Sequence, residues 1–290
     1  MKPMPEAPTI RMVREGGPNA PLVLFLPGLT GNNSQWDPVV ERLASRELSI
    51  AYGAPIRPHP AFDGKQPTVT ELAARMKAEL DSRSYSSAVV VAHSVGAFVA
   101  FALCRLLPDR VQTAILLNGG LTTVARFLDR PVVEMSHEPI RCLNAIRLFA
   151  LAGSPTPPGV KRVIASSPRL TRLLLGKLAS EDTVASQKQR ASLIEHGGST
   201  DVLRALWTNR HHWQEFRAYA HLIEAHAIFV VGELDPMSNE ADTRIMASML
   251  PDAHLRSISG IGHVAPVETA AVVAGLVGEA IDGLRVSGPH

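Results

Sequence analysis

Val89-Val90-Val91-Ala92-His93-Ser94-Val95-Gly96-Ala97 decides how this chain is read. Residues 88–92 are small and apolar without a polar break, the pattern of a strand buried on both faces. From Gly96 the sequence turns helical and stays apolar until Pro108 stops it. A serine held between a strand end and a helix start must occupy a tight turn. Its hydroxyl then leaves the end of the sheet and faces the positive pole of the helix. That position suits a nucleophile; the alternative is a serine that merely caps the helix.

Working outward, strand and helix signals alternate. Residues 21–26 form a short apolar run ended by Pro27-Gly28, and residues 48–52 form a second one. Residues 37–43 have helical spacing, and residues 53–67 read as a proline-rich loop. Thr68 or Thr70 can cap a helix through Leu80, with Leu72, Met76 and Leu80 on one stripe. Residues 111–117 are another strand, closed by Asn118-Gly119-Gly120. After residue 120 the rhythm breaks. Residues 121–222 carry helical patterns and no convincing strand, with a proline-rich loop at residues 153–159. Strand signals return at residues 227–231 and 255–258, with a helix through Met249 between them and a closing helix over residues 266–284. The expected architecture is α/β: a doubly wound, mainly parallel sheet over residues 1–120 and 223–290, interrupted by a helical cap over residues 121–222.

Totals narrow the classes. The chain has 290 residues, 46% apolar and 19% charged, which favours a globular protein over a disordered one. A formal net charge of +2 gives no reason to expect a nucleic-acid partner. Residues 121–222 hold 14 Lys/Arg against 8 Asp/Glu, which leaves 15 against 19 elsewhere. A block of that sign is either a solvated helical surface or an attractor of anionic substrates. Two distant cysteines exclude a disulfide framework and a cysteine metal site; no metal and no cofactor are expected. The first residues lack the apolar core of a signal peptide, and no run approaches the roughly 20 apolar residues of a membrane span. The expectation is a soluble cytoplasmic protein without a membrane partner.

A serine hydroxyl needs a base, and the base needs an acid to fix its tautomer. Among eleven histidines, His263 has the best setting, between Gly260-Ile261-Gly262 and Val264-Ala265-Pro266 after the last strand. The pair His211-His212 reads as surface or cap lining, and His93 as packing beneath the turn. Asp235 follows Val231-Gly232-Glu233-Leu234 at a strand end; Glu233 is its nearest rival. Backbone N–H groups of Val95 and Leu29 are the candidate oxyanion donors, with Gly28 permitting close approach.

These segments resemble the α/β-hydrolase fold of the capped type. Leu26-Pro27-Gly28-Leu29 is similar to the family's oxyanion loop, with Pro27 where histidine is frequent, and Trp36 matches an aromatic that often follows it. Ala92-His93-Ser94-Val95-Gly96 resembles the nucleophile elbow, with alanine in place of the first glycine. Gly232-Glu233-Leu234-Asp235 and Gly262-His263 resemble the acid and histidine loops, in the order Ser94, Asp235, His263. The region 52–60 departs from a glycine-rich stretch that many members carry, and Ser94 argues against the members that use aspartate.

The resemblance implies a serine hydrolase that cleaves a carboxylic ester of a small-molecule acyl substrate through an acyl-enzyme. A thioesterase or acyltransferase on carrier-bound acyl groups, a carbon–carbon bond hydrolase, and a ligand-binding protein that keeps the fold without turnover are the alternatives. Trp36, Phe127, Leu128, Phe149, Trp207 and Trp213 are the candidate pocket residues.

Overall fold

The structure is a computed structural model that describes residues 7–29, 33–83, 85–153, 156–170 and 200–286. Seven strands form one sheet: β1 (Ile10–Arg14), β2 (Leu22–Leu26), β3 (Ser49–Gly53), β4 (Ala88–His93), β5 (Val111–Leu117), β6 (His226–Gly232) and β7 (Ala253–Ile258). Their order is β1-β3-β2-β4-β5-β6-β7. All neighbours pair in parallel except β1 with β3, which is antiparallel.

β1 is absent from the sequence reading. Its five residues alternate between buried and exposed, and Val13 lies open. A half-wet edge strand lacks the continuous apolar run that announces β2, β4 and β5.

The pleat divides the core in two. Leu22, Leu24, Leu26, Val90, Ala92, Ala114 and Leu116 face one layer, which contains α2 (Val69–Asp81) and α3 (Gly96–Leu106). Val23, Phe25, Val89, Val91, Ile115 and Leu117 face the other, which contains α1 (Asp37–Arg42) and the C-terminal helix. α3 is buried throughout Gly96–Cys104, so it is apolar on every side rather than striped. At the start of α2, Thr68 Oγ1 accepts the Glu71 N–H while Glu71 accepts the Thr68 N–H, a reciprocal cap. The cap is thus Thr68 and not Thr70.

Between β5 and β6 the described residues are helical: α4 (Thr122–Asp129), α5 (Pro131–His137), α6 (Pro139–Gly153), α7 (Pro158–Ser166), α8 (Thr200–Thr208) and α9 (His212–Tyr219). Many basic side chains of this block are paired, among them Arg126 with Glu134 and Arg204 with Asp201. α10 (Glu240–Ala247) follows β6. The single closing helix expected over residues 266–284 is two, α11 (Ala265–Glu268) and α12 (Ala270–Val286). Thr269 separates them, its buried hydroxyl donating back to the Ala265 carbonyl. Among the described residues no helix is long and apolar enough to cross a membrane.

Candidate active site

β4 delivers Ser94. Its φ is +53°, a left-handed value that costs a non-glycine residue on the order of 1–3 kcal/mol. The strain is held by packing. Ser94 N–H donates to the Leu117 carbonyl at 2.9 Å, and the Ser94 carbonyl accepts the Ala97 N–H at 3.0 Å. Gly96 runs against the β2 exit: a Cβ there would lie 2.6 Å from the Pro27 carbonyl oxygen and 3.1 Å from that of Leu26. These are backbone atoms of the strand exit and cannot swing aside, which explains the glycine. Gly28 approaches from the other side, where a Cβ would stand 3.3 Å from Ser94 Cβ. This brings the segment ending in Leu29 alongside the serine. Val95 is the N-cap of α3, so its N–H lies ahead of the first intrahelical bond.

The ends of β6 and β7 supply the partners. Asp235 is buried; its Oδ1 accepts the Met237 N–H at 2.8 Å and its Oδ2 lies 2.8 Å from His263 Nδ1. A carboxylate only accepts, so Nδ1 carries the hydrogen and Nε2 is left as an acceptor. Nε2 lies 3.1 Å from Ser94 Oγ. The structure therefore brings Ser94, His263 and Asp235 into one hydrogen-bonded line. Glu233, the rival acid, is exposed and binds the Gly260 N–H instead.

His93 is buried, and burial first, then the nearby His263, push its pKa down to about 3. It stays neutral near pH 7. Its Nε2–H donates to the His263 carbonyl at 2.7 Å, holding the histidine loop from beneath.

One residue of this arrangement has no role in the sequence reading. Asn118, fully buried with φ +48°, donates from Nδ2 to the carbonyls of Gly262 (2.9 Å) and His263 (3.0 Å) and accepts the Gly232 N–H on Oδ1 (2.8 Å). It fastens the histidine loop to the end of β6. An asparagine before Gly119-Gly120 at a strand end was the available signal, since asparagine tolerates a left-handed backbone. Asn118→Ala should leave buried polar groups unpaired and lower stability by about 1–3 kcal/mol. The loosened loop should lower kcat about 10²-fold on the best substrate, as a misplacement near 1 Å does. A melt and a rate measured on one preparation check both.

A narrow apolar cavity of about 40 Å³ adjoins the serine through Leu29 and Val95. Leu128 and Trp213 line it, together with Phe98, Leu206 and His212. His212 is neutral near pH 7, burial lowering its pKa to about 4, whereas His211 is exposed against Asp129. Three other expected pocket residues, Trp36, Phe127 and Trp207, do not line it. Trp36 is completely buried in the core against Phe25, ring centres 5.1 Å apart. Trp207 is exposed, with Arg210 stacked over its ring. Phe127 packs on a small cluster around Leu121, Val124 and Ala145. The side chain of Phe149 lies outside the described residues.

A family model described as the alpha/beta hydrolase family matches residues 23–276. The chain belongs to the α/β-hydrolase family. A relative from Azorhizobium caulinodans named as a carbamate hydrolase, RutD, is 29% identical over 97 residues, a match of 33% of this chain and 37% of that relative's length. A thermophilic esterase from Thermogutta terrifontis superposes with a TM-score of 0.59 at 17% identity, covering 94% of this chain and 93% of the other. An N-acyl homoserine lactone degrading enzyme gives 0.61 at 20% identity, covering 92% and 95%. At these identities the solved structures establish that this α/β-hydrolase shares their fold.

Proposed function

We propose that this α/β-hydrolase is a serine hydrolase that cleaves carboxylic esters through an acyl-enzyme. The line from Asp235 through His263 to Ser94, at 2.8 and 3.1 Å, carries the reading. Ser94 Oγ attacks the acyl carbon while its proton passes to His263 Nε2. Asp235 stabilises the imidazolium and keeps the ring oriented. The N–H groups of Leu29 and Val95 hold the oxyanion. Collapse of the tetrahedral intermediate expels the alcohol oxygen, which takes the proton from His263. Water then gives a proton to His263 and attacks the acyl carbon; as this second intermediate collapses, the acyl–Oγ bond breaks, His263 returns the proton to Ser94 Oγ and the acid leaves.

In this reading the described helices between β5 and β6 form a lid, because most of the cavity's described lining comes from them. An apolar cavity beside the serine suits an apolar acyl group. The partial match to a carbamate hydrolase makes carbamates the second class to test.

The test is one substrate panel: p-nitrophenyl esters of rising acyl length, an acyl-CoA thioester, a carbamate and a lactone. Esters with an apolar acyl group should give the highest kcat/KM. A thioester or carbamate preferred by about tenfold or more, 1.4 kcal/mol in transition-state binding, would replace the ester assignment. A protein that takes up no fluorophosphonate would be a binder and not an enzyme.

A further inference from the structure

At the opposite rim of the sheet from Ser94, three metal-ligating side chains converge. His226 opens β6, while Asp252 and His254 lie at the start of β7. The parallel register pairs Ala227 with Ala253 and Ile228 with His254. Alternation along each strand therefore sends His226, Asp252 and His254 to the same face. One ligand atom from each lies within 4.8 Å of the others. The carboxylate sits between the imidazoles: Oδ2 is 2.8 Å from His226 Nδ1, and Oδ1 is 3.8 Å from His254 Nε2. The rings are 5.0 Å apart.

We infer that His226, Asp252 and His254 form a binding site for a borderline divalent cation of the Zn²⁺ class. Nitrogen and oxygen ligands held at about 2.0–2.2 Å in tetrahedral geometry are spaced about 3.3 Å from one another. With one ligand atom from each residue already within 4.8 Å of the other two, closing the site asks the side chains to rotate inward by up to about 1.5 Å per pair. Two imidazoles and one carboxylate select Zn²⁺, Ni²⁺ or Cu²⁺ over Mg²⁺ and Ca²⁺, which take oxygen ligands. An open cavity beside the imidazoles, lined also by Gln112 and Thr113, admits the water that completes the coordination. Arg256, the next side chain on that face of β7, is turned to Glu279 at 3.5 Å, which offsets its charge. A bound ion would clip the entry of β6 to that of β7, roughly 20 Å from Ser94: the register sets His226 level with Thr113 and Val89, five residues before Ser94 and two strands away.

Zn²⁺ titrated calorimetrically into the full chain at pH 7.5 should report one site with a dissociation constant near the micromolar range. His226→Ala and His254→Ala should each weaken it about 100-fold, while His211→Ala leaves it unchanged. Zn²⁺ at about 10 µM should raise the melting temperature of the parent protein by a degree or more and leave that of the two variants nearly unchanged. Both side chains are partly or largely exposed, so the variants keep the fold, which their melts without metal verify. No binding at 100 µM Zn²⁺, or binding as tight in either variant as in the parent, overturns the assignment.

Discussion

Ser94→Ala is expected to cut kcat on the best ester by roughly 10⁴-fold or more and to abolish fluorophosphonate labelling. The folded state should survive, because the hydrogen bonds that shape this turn are made by backbone atoms. Ser94 N–H to the Leu117 carbonyl and Ala97 N–H to the Ser94 carbonyl both persist in an alanine. The hydroxyl's distinctive contact is with His263 Nε2 at 3.1 Å. A melting temperature within a degree or two of the parent, together with lost turnover, is the expected pair of results. Near-normal turnover in this variant would remove Ser94 from the mechanism.

Asp235→Asn should cost about 10³–10⁴-fold in kcat with little change in KM, for a reason the hydrogen bonds spell out. One carboxylate oxygen accepts the Met237 N–H and the other accepts from His263 Nδ1. An asparagine must keep its oxygen towards Met237, since a backbone N–H there cannot be met by another donor. Its amide NH₂ then faces Nδ1 and forces the histidine into the other tautomer. Nε2 becomes a donor and can no longer receive the Ser94 proton. The variant should therefore still fold. Its activity should recover partially at high pH, where hydroxide supplies the missing base strength. A pH–rate profile distinguishes this from plain unfolding, which would lower activity at every pH.

The parallel strands were legible because burial on both faces leaves uninterrupted apolar runs, as at Leu22–Leu26 and Ala88–Ala92. β1 was not, because an edge strand with one wet face shows only five weakly alternating residues. The turn at Ser94 could be read from the small residues around it, since close backbone approach excludes larger ones. Asn118 was invisible as a fastener because its acceptors lie 144 and 145 residues away. The tryptophans mark where sequence stops informing: a large aromatic can fill a core, line a cavity or lie on the surface. Trp36 took the first course, Trp213 the second and Trp207 the third. Likewise, His226 and His254 are joined only by strand pairing across 28 positions, a register that no local pattern announces.

The cavity walls come mainly from residues 121–213, whereas Ser94, Asn118, Asp235 and His263 all stand at the strand ends of the sheet. Under the proposed function, reactivity and selectivity are thereby carried on separate stretches of chain. Leu128, Leu206 or Trp213 can be enlarged or trimmed without touching any hydrogen bond that holds the histidine loop. If the chain acts as proposed, retargeting it to a new acyl group, in the laboratory or by natural drift, requires editing only the roof while the workbench beneath stays as it is.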